Sequence, residues 1–195
     1  MLRILGNPTL LIIPLFFLTS FFSGCTTLVS AGATLGVAAV QERGIKVRAE
    51  DLKTEALILE QFIKTGLKLT ATIGVEVYEG RVLLTGASKN TRITDQAIKL
   101  AWEIDGVKEV INEIQVGRSS NVANFAQDAW ITAQIKSNMT FDTSIYSINY
   151  TIETVNNTVY LIGIAQNKTE HARAKQHAAK IKFVQKVVSH VRVKK

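Results

Sequence analysis

The sequence predicts an α+β protein of two tandem domains, each with the order αββαβ: a three-stranded mixed sheet packed by two helices. Three observations carry that expectation. Sliding the chain by 77 residues, the offset between Gly86 and Gly163, superposes its halves without a gap. Ile58 then falls on Ile135, Val82 on Val159, Leu84 on Leu161, Ala97 on Ala174 and Val116 on Val193; such self-similarity at one period marks a duplicated unit. Each half also holds two β-rich runs around a pair that tolerates positive φ, Glu79-Gly80 and Asn156-Asn157. In each half a helical segment and a further strand follow, and strand–helix–strand within one sheet is a right-handed parallel crossover.

The chain opens with Arg3 and an apolar stretch from Pro8 to Phe22. At 1.5 Å per helical residue, some fifteen residues reach about 22 Å, short of the ~30 Å hydrocarbon core. The segment is expected to be a secretory signal, not a membrane span. It closes on Phe22-Ser23-Gly24-Cys25, which holds the only cysteine. A small pair directly before a cysteine resembles the lipobox of bacterial lipoproteins, with Phe22 where leucine is more usual. That resemblance implies a signal peptide over residues 1–24 and acylation of Cys25 as the mature N-terminus. Two or more lipid signals hold a protein stably where one is marginal. Thr26 follows instead of aspartate, and the same resemblance then implies the periplasmic face of the outer membrane. Once Cys25 is lipidated no thiol remains, which excludes disulfides, thiol catalysis and cysteine metal sites. Residues 25–49, rich in Ala, Gly, Thr, Ser and Val, are expected to form a flexible tether.

The first domain is expected over residues 50–117. Its opening helix carries Leu52, Leu59, Phe62 and Ile63 near helical spacing. Strands are expected at Ala71–Tyr78 and Arg81–Thr85, a helix from about Asn90 to Asp105, and a last strand at Val107–Val116. Gly86 ends the hairpin, where the chain passes close to a neighbour or needs positive φ. Residues 118–123 form a polar linker to a second domain over 124–194. There the helix stripe is Ile131, Ile135 and Met139, and the hairpin is Tyr150–Val155 with Thr158–Ile162. Where the first copy has Gly106 the second has Phe183, so its helix is expected to end differently.

Val82-Leu83-Leu84-Thr85-Gly86 with Gly106-Val107-Lys108-Glu109-Val110-Ile111-Asn112 resembles the bacterial BON domain. Val159-Tyr160-Leu161-Ile162-Gly163 with Val184-Gln185-Lys186-Val187 resembles it again. The resemblance covers about residues 50–194. A lipobox followed by two such repeats is similar to a family of dual-BON outer-membrane lipoproteins. It implies a non-enzymatic protein that binds anionic phospholipid, phosphatidylglycerol or cardiolipin, and supports envelope integrity at division sites. In that family the opening helix of the second domain is the membrane-contacting element.

Charge divides the two halves. Residues 51–117 hold eight Lys/Arg against ten Asp/Glu, while residues 118–195 hold eleven against four. A basic surface attracts anionic headgroups at about 1 kcal/mol per cation. It also attracts nucleic acid, but a periplasmic lipoprotein meets none. On the opening helix of the second copy, Trp130 falls where the first copy has Lys53, which marks it as an exposed aromatic suited to the headgroup region. Trp130 and Ile131 are expected to dip toward the acyl boundary, Lys136 to pair with phosphate, and Phe125 and Ala126 to add apolar contact. Trp102 is expected in core or inter-repeat packing, and Phe183 in the core.

No catalytic constellation appears. His171, His177 and His190 are not spaced as a metal pair on one helix face, no phosphate loop is present, and no cofactor is implied. The alternative reading is an adaptor whose basic face docks an acidic envelope protein.

Overall fold

The computed structural model describes residues 41–118 and 122–195; the signal segment, Cys25 and most of the tether lie outside them. The first half runs α1 (Gly44–Thr65), α2 (Leu67–Thr72), β1 (Ile73–Tyr78), β2 (Arg81–Ser88), α3 (Thr91–Trp102) and β3 (Glu109–Val116). The second runs α4 (Val122–Phe141), a 3-10 turn at Ser147–Asn149, β4 (Tyr150–Val155), β5 (Thr158–Ala165), α5 (Lys168–Ala179) and β6 (Lys186–Val193). Each half makes one sheet, ordered β1-β2-β3 or β4-β5-β6, with an antiparallel hairpin and a parallel third strand. The α+β, αββαβ architecture is thus as read, with the short α2 taking Ala71 and Thr72 from the expected first strand. The linker is shorter than read, because α4 begins at Val122.

Both hairpins close through two left-handed residues, Glu79 and Gly80 (φ 55° and 76°) and Asn156 and Asn157 (φ 46° and 63°), the primed turn whose twist suits the flanking strands. A buried aspartate on each opening helix holds each turn. Asp51 accepts from the Glu79 and Gly80 N–H groups at 2.9 and 2.8 Å. Asp128 accepts from Asn156 and Asn157 at 2.7 and 2.8 Å. Gly86 (φ 132°) and Gly163 (φ 149°) satisfy both demands read from the sequence: a β-carbon would lie 2.1 Å from the Thr72 oxygen or 2.0 Å from the Asn149 oxygen. Asn90 and Asn167 cap α3 and α5 by accepting from the Arg92 and Glu170 N–H groups.

Ile131, Ile135 and Met139 are fully buried on α4, as their spacing predicted. On α1 the core side is Asp51, Thr54, Ile58 and Phe62, with Leu59 leaning on it, so Phe62 and Leu59 of the expected stripe face the core. Leu52 and Ile63 of the expected stripe point to solvent: with Asp51 committed to the turn, its neighbour Leu52 is carried about 100° away.

The helices cover one face of each sheet. The opposite faces pack on each other, through Tyr78, Leu83, Ile111, Tyr160 and Ile162, giving the layer order helix–sheet–sheet–helix. All eight residues of β2 are therefore buried. The contacts across this seam are reciprocal under the 77-residue offset. Glu113 meets its own equivalent, His190, with Oε1 and Nε2 2.9 Å apart. Glu76 hydrogen-bonds its own equivalent, Glu153. Arg192 donates to Glu79 at 2.7 Å, and the equivalent pair, Gln115 and Asn156, bond at 3.0 Å. The two domains face each other as a homodimer's subunits do, across an isologous interface.

The segment ahead of α1 fastens this seam. Glu42 N–H donates to Asn149 Oδ1 at 2.9 Å, its carboxylate pairs with Lys194, and Gln41 Nε2 donates to the Ile148 carbonyl at 2.8 Å. Arg43 turns the other way, donating to Asp51 at 2.7 Å and to the Val77 carbonyl at 3.1 Å while lying over the Tyr78 ring. The expected tether over residues 25–49 is thus corrected at its C-terminal end. Residues 41–43 are bonded to both domains, and α1 begins at Gly44.

Candidate lipid-binding surface

The helix α4 carries only two charged residues, Asp128 and Lys136, and Asp128 is buried against the hairpin turn. Its outward side is accordingly almost uncharged: Phe125, Ala126, Ala129, Trp130, Ala133 and Phe141 are all exposed. A surface helix ordinarily turns charged and polar groups to water. No helix among the described residues is long and apolar enough to cross a membrane.

Trp130 is 44% exposed and meets Phe183 edge-on, with ring centroids 6.1 Å apart and planes at 68°. Phe183 is itself 47% exposed, which corrects its expected burial. Its backbone also departs from expectation. Phe183 adopts φ 73°, the left-handed conformation that Gly106 supplies at φ 95° in the first domain, so both copies end this helix alike. For a non-glycine residue that conformation costs roughly 1–2 kcal/mol. Lys182 lies 4.7 Å from the Phe183 ring centre, within cation–π range. Lys180, Lys182 and Lys186, all within three residues of Phe183 along the chain, are exposed and form no ion pair among the described residues.

The expected residues divide into groups. Ala126 shares the Trp130 side of α4, one turn away. Lys136 and Phe125 are exposed on another edge, each about 120–140° around the helix from Trp130. Lys136 there faces the Glu76 and Glu153 carboxyls, whose pKa values its charge lowers against the upward push of burial. Ile131 is corrected: it is fully buried in the core with Ile135 and Met139, and reaches no surface. Trp102 is corrected too, being 52% exposed at the end of α3. Cys25 lies outside the described residues. Phe141, exposed three turns from Trp130 on the same side, was missed, although its spacing of eleven residues made it legible.

The histidines are engaged elsewhere. His177 and Arg173 both bond Asp142, whose carboxyl they hold far below its ordinary range. His171 Nε2 lies 2.8 Å from the Ser189 hydroxyl, and desolvation lowers its pKa. Among the described residues no group of three or more His, Cys, Asp or Glu side chains is placed to hold a metal ion.

Comparison with known proteins agrees with this architecture. The BON domain model matches residues 50–118 and 127–195. The outer membrane lipoprotein DolP of Haemophilus influenzae is 30% identical over 172 residues, 87% of this chain and 89% of that protein. A protein encoded in the gshII 5′ region of Anaplasma centrale is 42% identical over 125 residues, 64% of this chain and 83% of that protein. A 21 kDa hemolysin of Actinobacillus pleuropneumoniae is 34% identical over 122 residues, 63% of this chain and 62% of that protein. With two matches in tandem, each spanning one of the paired sheets, the chain belongs to the BON-domain family and carries its domain twice.

Proposed function

We propose that this chain is a non-enzymatic envelope lipoprotein, anchored through Cys25 at the periplasmic face of the outer membrane, whose second domain docks on anionic phospholipid. Residues 1–24 are the signal peptide in this reading, and phosphatidylglycerol or cardiolipin is the ligand. The likeness to an outer membrane lipoprotein over most of both chains supports the location. One observation carries the lipid reading. Trp130 and Phe183 stand exposed against each other beside Lys182, with Lys180 and Lys186 exposed nearby in the chain, and Phe183 is held in a strained backbone conformation that burial does not compensate. Strain kept where packing gives no reason for it points to function. The two rings enter the headgroup region, the lysines meet phosphates, and Ala126 and Phe141 extend the contact along α4. Lys136 and Phe125 engage only if the domain tilts onto their edge. Support of envelope integrity, at division sites, rests on the resemblance to dual-BON outer-membrane lipoproteins alone.

Co-sedimentation of the Cys25→Ser protein with liposomes tests this. Phosphatidylglycerol vesicles should retain it and phosphatidylcholine vesicles should not. Trp130→Ala should weaken retention by about tenfold, the loss of some 1.4 kcal/mol of ring burial. Equal retention on both lipids, or unchanged retention of Trp130→Ala, would overturn the reading.

A further inference from the structure

We propose that α1 is a self-association surface through which two copies of the chain pair side by side and antiparallel. Along α1, Ile45, Ala49, Leu52, Ala56, Leu59 and Ile63 follow one another at steps of four, three, four, three and four residues. That is the apolar seam of a coiled coil, sustained over almost three heptads. It is turned away from the core side of the helix. Ile45 is 48% exposed, Leu52 38% and Ile63 59%; Ala49 and Ala56 are exposed, and Leu59 alone leans on its own core.

Size and charge on the page select the occupant. Antiparallel pairing about Thr54 sets Ala49 against Leu59 of the second copy and Leu52 against its Ala56, with Ile45 against Ile63 at each end. Every leucine then meets an alanine, so the layers are even in volume. Lys46 and Glu60, both exposed beside the seam, come together across the pair twice. Like charges meet only at the axis: Lys53 with its counterpart at the wet edge, where water screens them, and Glu55, which turns inward to hydrogen-bond the Val77 backbone. Parallel pairing in register would stack alanine on alanine and leucine on leucine. It would also set Arg48 against Lys53 and Glu55 against Glu60 all along the seam. A helix of 22 residues is about 33 Å long, which places the contact at the small end of specific interfaces and makes the pair reversible.

The test uses whole cells producing the full chain. With Lys53→Cys, a bismaleimide spanning about 10 Å, the interaxial distance of packed helices, should yield a homodimer band. Gln96→Cys, exposed on α3, should not. Adding Ala56→Glu should reduce the Lys53→Cys band by about tenfold or more, since a carboxylate is then buried in an apolar seam. Ala56 is exposed in one copy, so the melting temperature should hold. Glu60→Lys should weaken the band, and Lys46→Glu with Glu60→Lys should restore it. Equal bands at both cysteine positions, a band that survives Ala56→Glu, or Lys53→Cys shielded from a water-soluble maleimide without any dimer would overturn the proposal. The last result would place a membrane or another protein on the seam.

Discussion

Phe183 shows how one residue separates stability from function. Its left-handed backbone is the conformation that glycine adopts without penalty, and the first domain has Gly106 at that place. Phe183→Gly should therefore raise the free energy of unfolding by about 1 kcal/mol in urea titrations while weakening retention on phosphatidylglycerol vesicles. A phenylalanine kept for packing would instead make the substitution destabilising. Asp128 has the opposite character. It accepts two backbone hydrogen bonds in a buried turn, so Asp128→Ala should cost about 2–3 kcal/mol. Asp51→Ala should cost more, because it also strands the buried Arg43 guanidinium. Neither aspartate was singled out from the sequence, although the 77-residue offset aligns them. An acidic residue within a helix reads as a solvated one until the turn it serves is in view. Trp102 and Phe183 were misplaced for a related reason, because an aromatic side chain on its own does not declare whether it meets core or water.

The helices differ in how well their faces could be read. On α4 the stripe Ile131, Ile135 and Met139 recurs every fourth residue with large aliphatic side chains, and it is the core face. On α1 two rows compete, and the reading took Leu52 and Ile63 from the outward one because the inward row contains Asp51 and Thr54. Truncations should register that difference in denaturant unfolding. Ile135→Ala should cost about 2–5 kcal/mol as a cavity in a closed core, and Leu52→Ala within about 0.5 kcal/mol as a surface change. The hairpins were legible from Glu79-Gly80 and Asn156-Asn157, since few residue pairs accept two positive φ values in succession. The central strands held an unused signal. Val82-Leu83-Leu84 and Val159-Tyr160-Leu161-Ile162 are apolar without alternation, the pattern of a strand covered on both faces.

At the scale of the whole molecule, the seam between the sheets sets a pH dependence. Burial in that seam, with Glu153 and Glu55 nearby, pushes the Glu76 carboxyl up to about 8 from an ordinary 4.5, against the opposing charges of Lys136 and Arg48. Desolvation raises Glu153 as well. A raised carboxyl pKa means that the folded chain holds a proton the unfolded chain releases. This contribution to stability is complete below about pH 4.5 and is lost as pH rises through about 8. The melting temperature should therefore fall between pH 5 and 9, and Glu76→Gln should flatten the fall. A melting curve of the parent protein indifferent to pH over that range would contradict a shared proton in the seam. The 77-residue offset aligns Glu76 with Glu153, but it does not say that the two sheets face each other, so the sequence did not announce the contact. The reciprocity of the seam reaches further than its energetics. A true homodimer must present the same side chain from both partners at its axis, so every like-charged meeting there is compulsory. Fusing the copies into one polypeptide lifts that obligation position by position. Where Glu113 confronts His190 the constraint has been escaped, and where Glu76 confronts Glu153 it still stands.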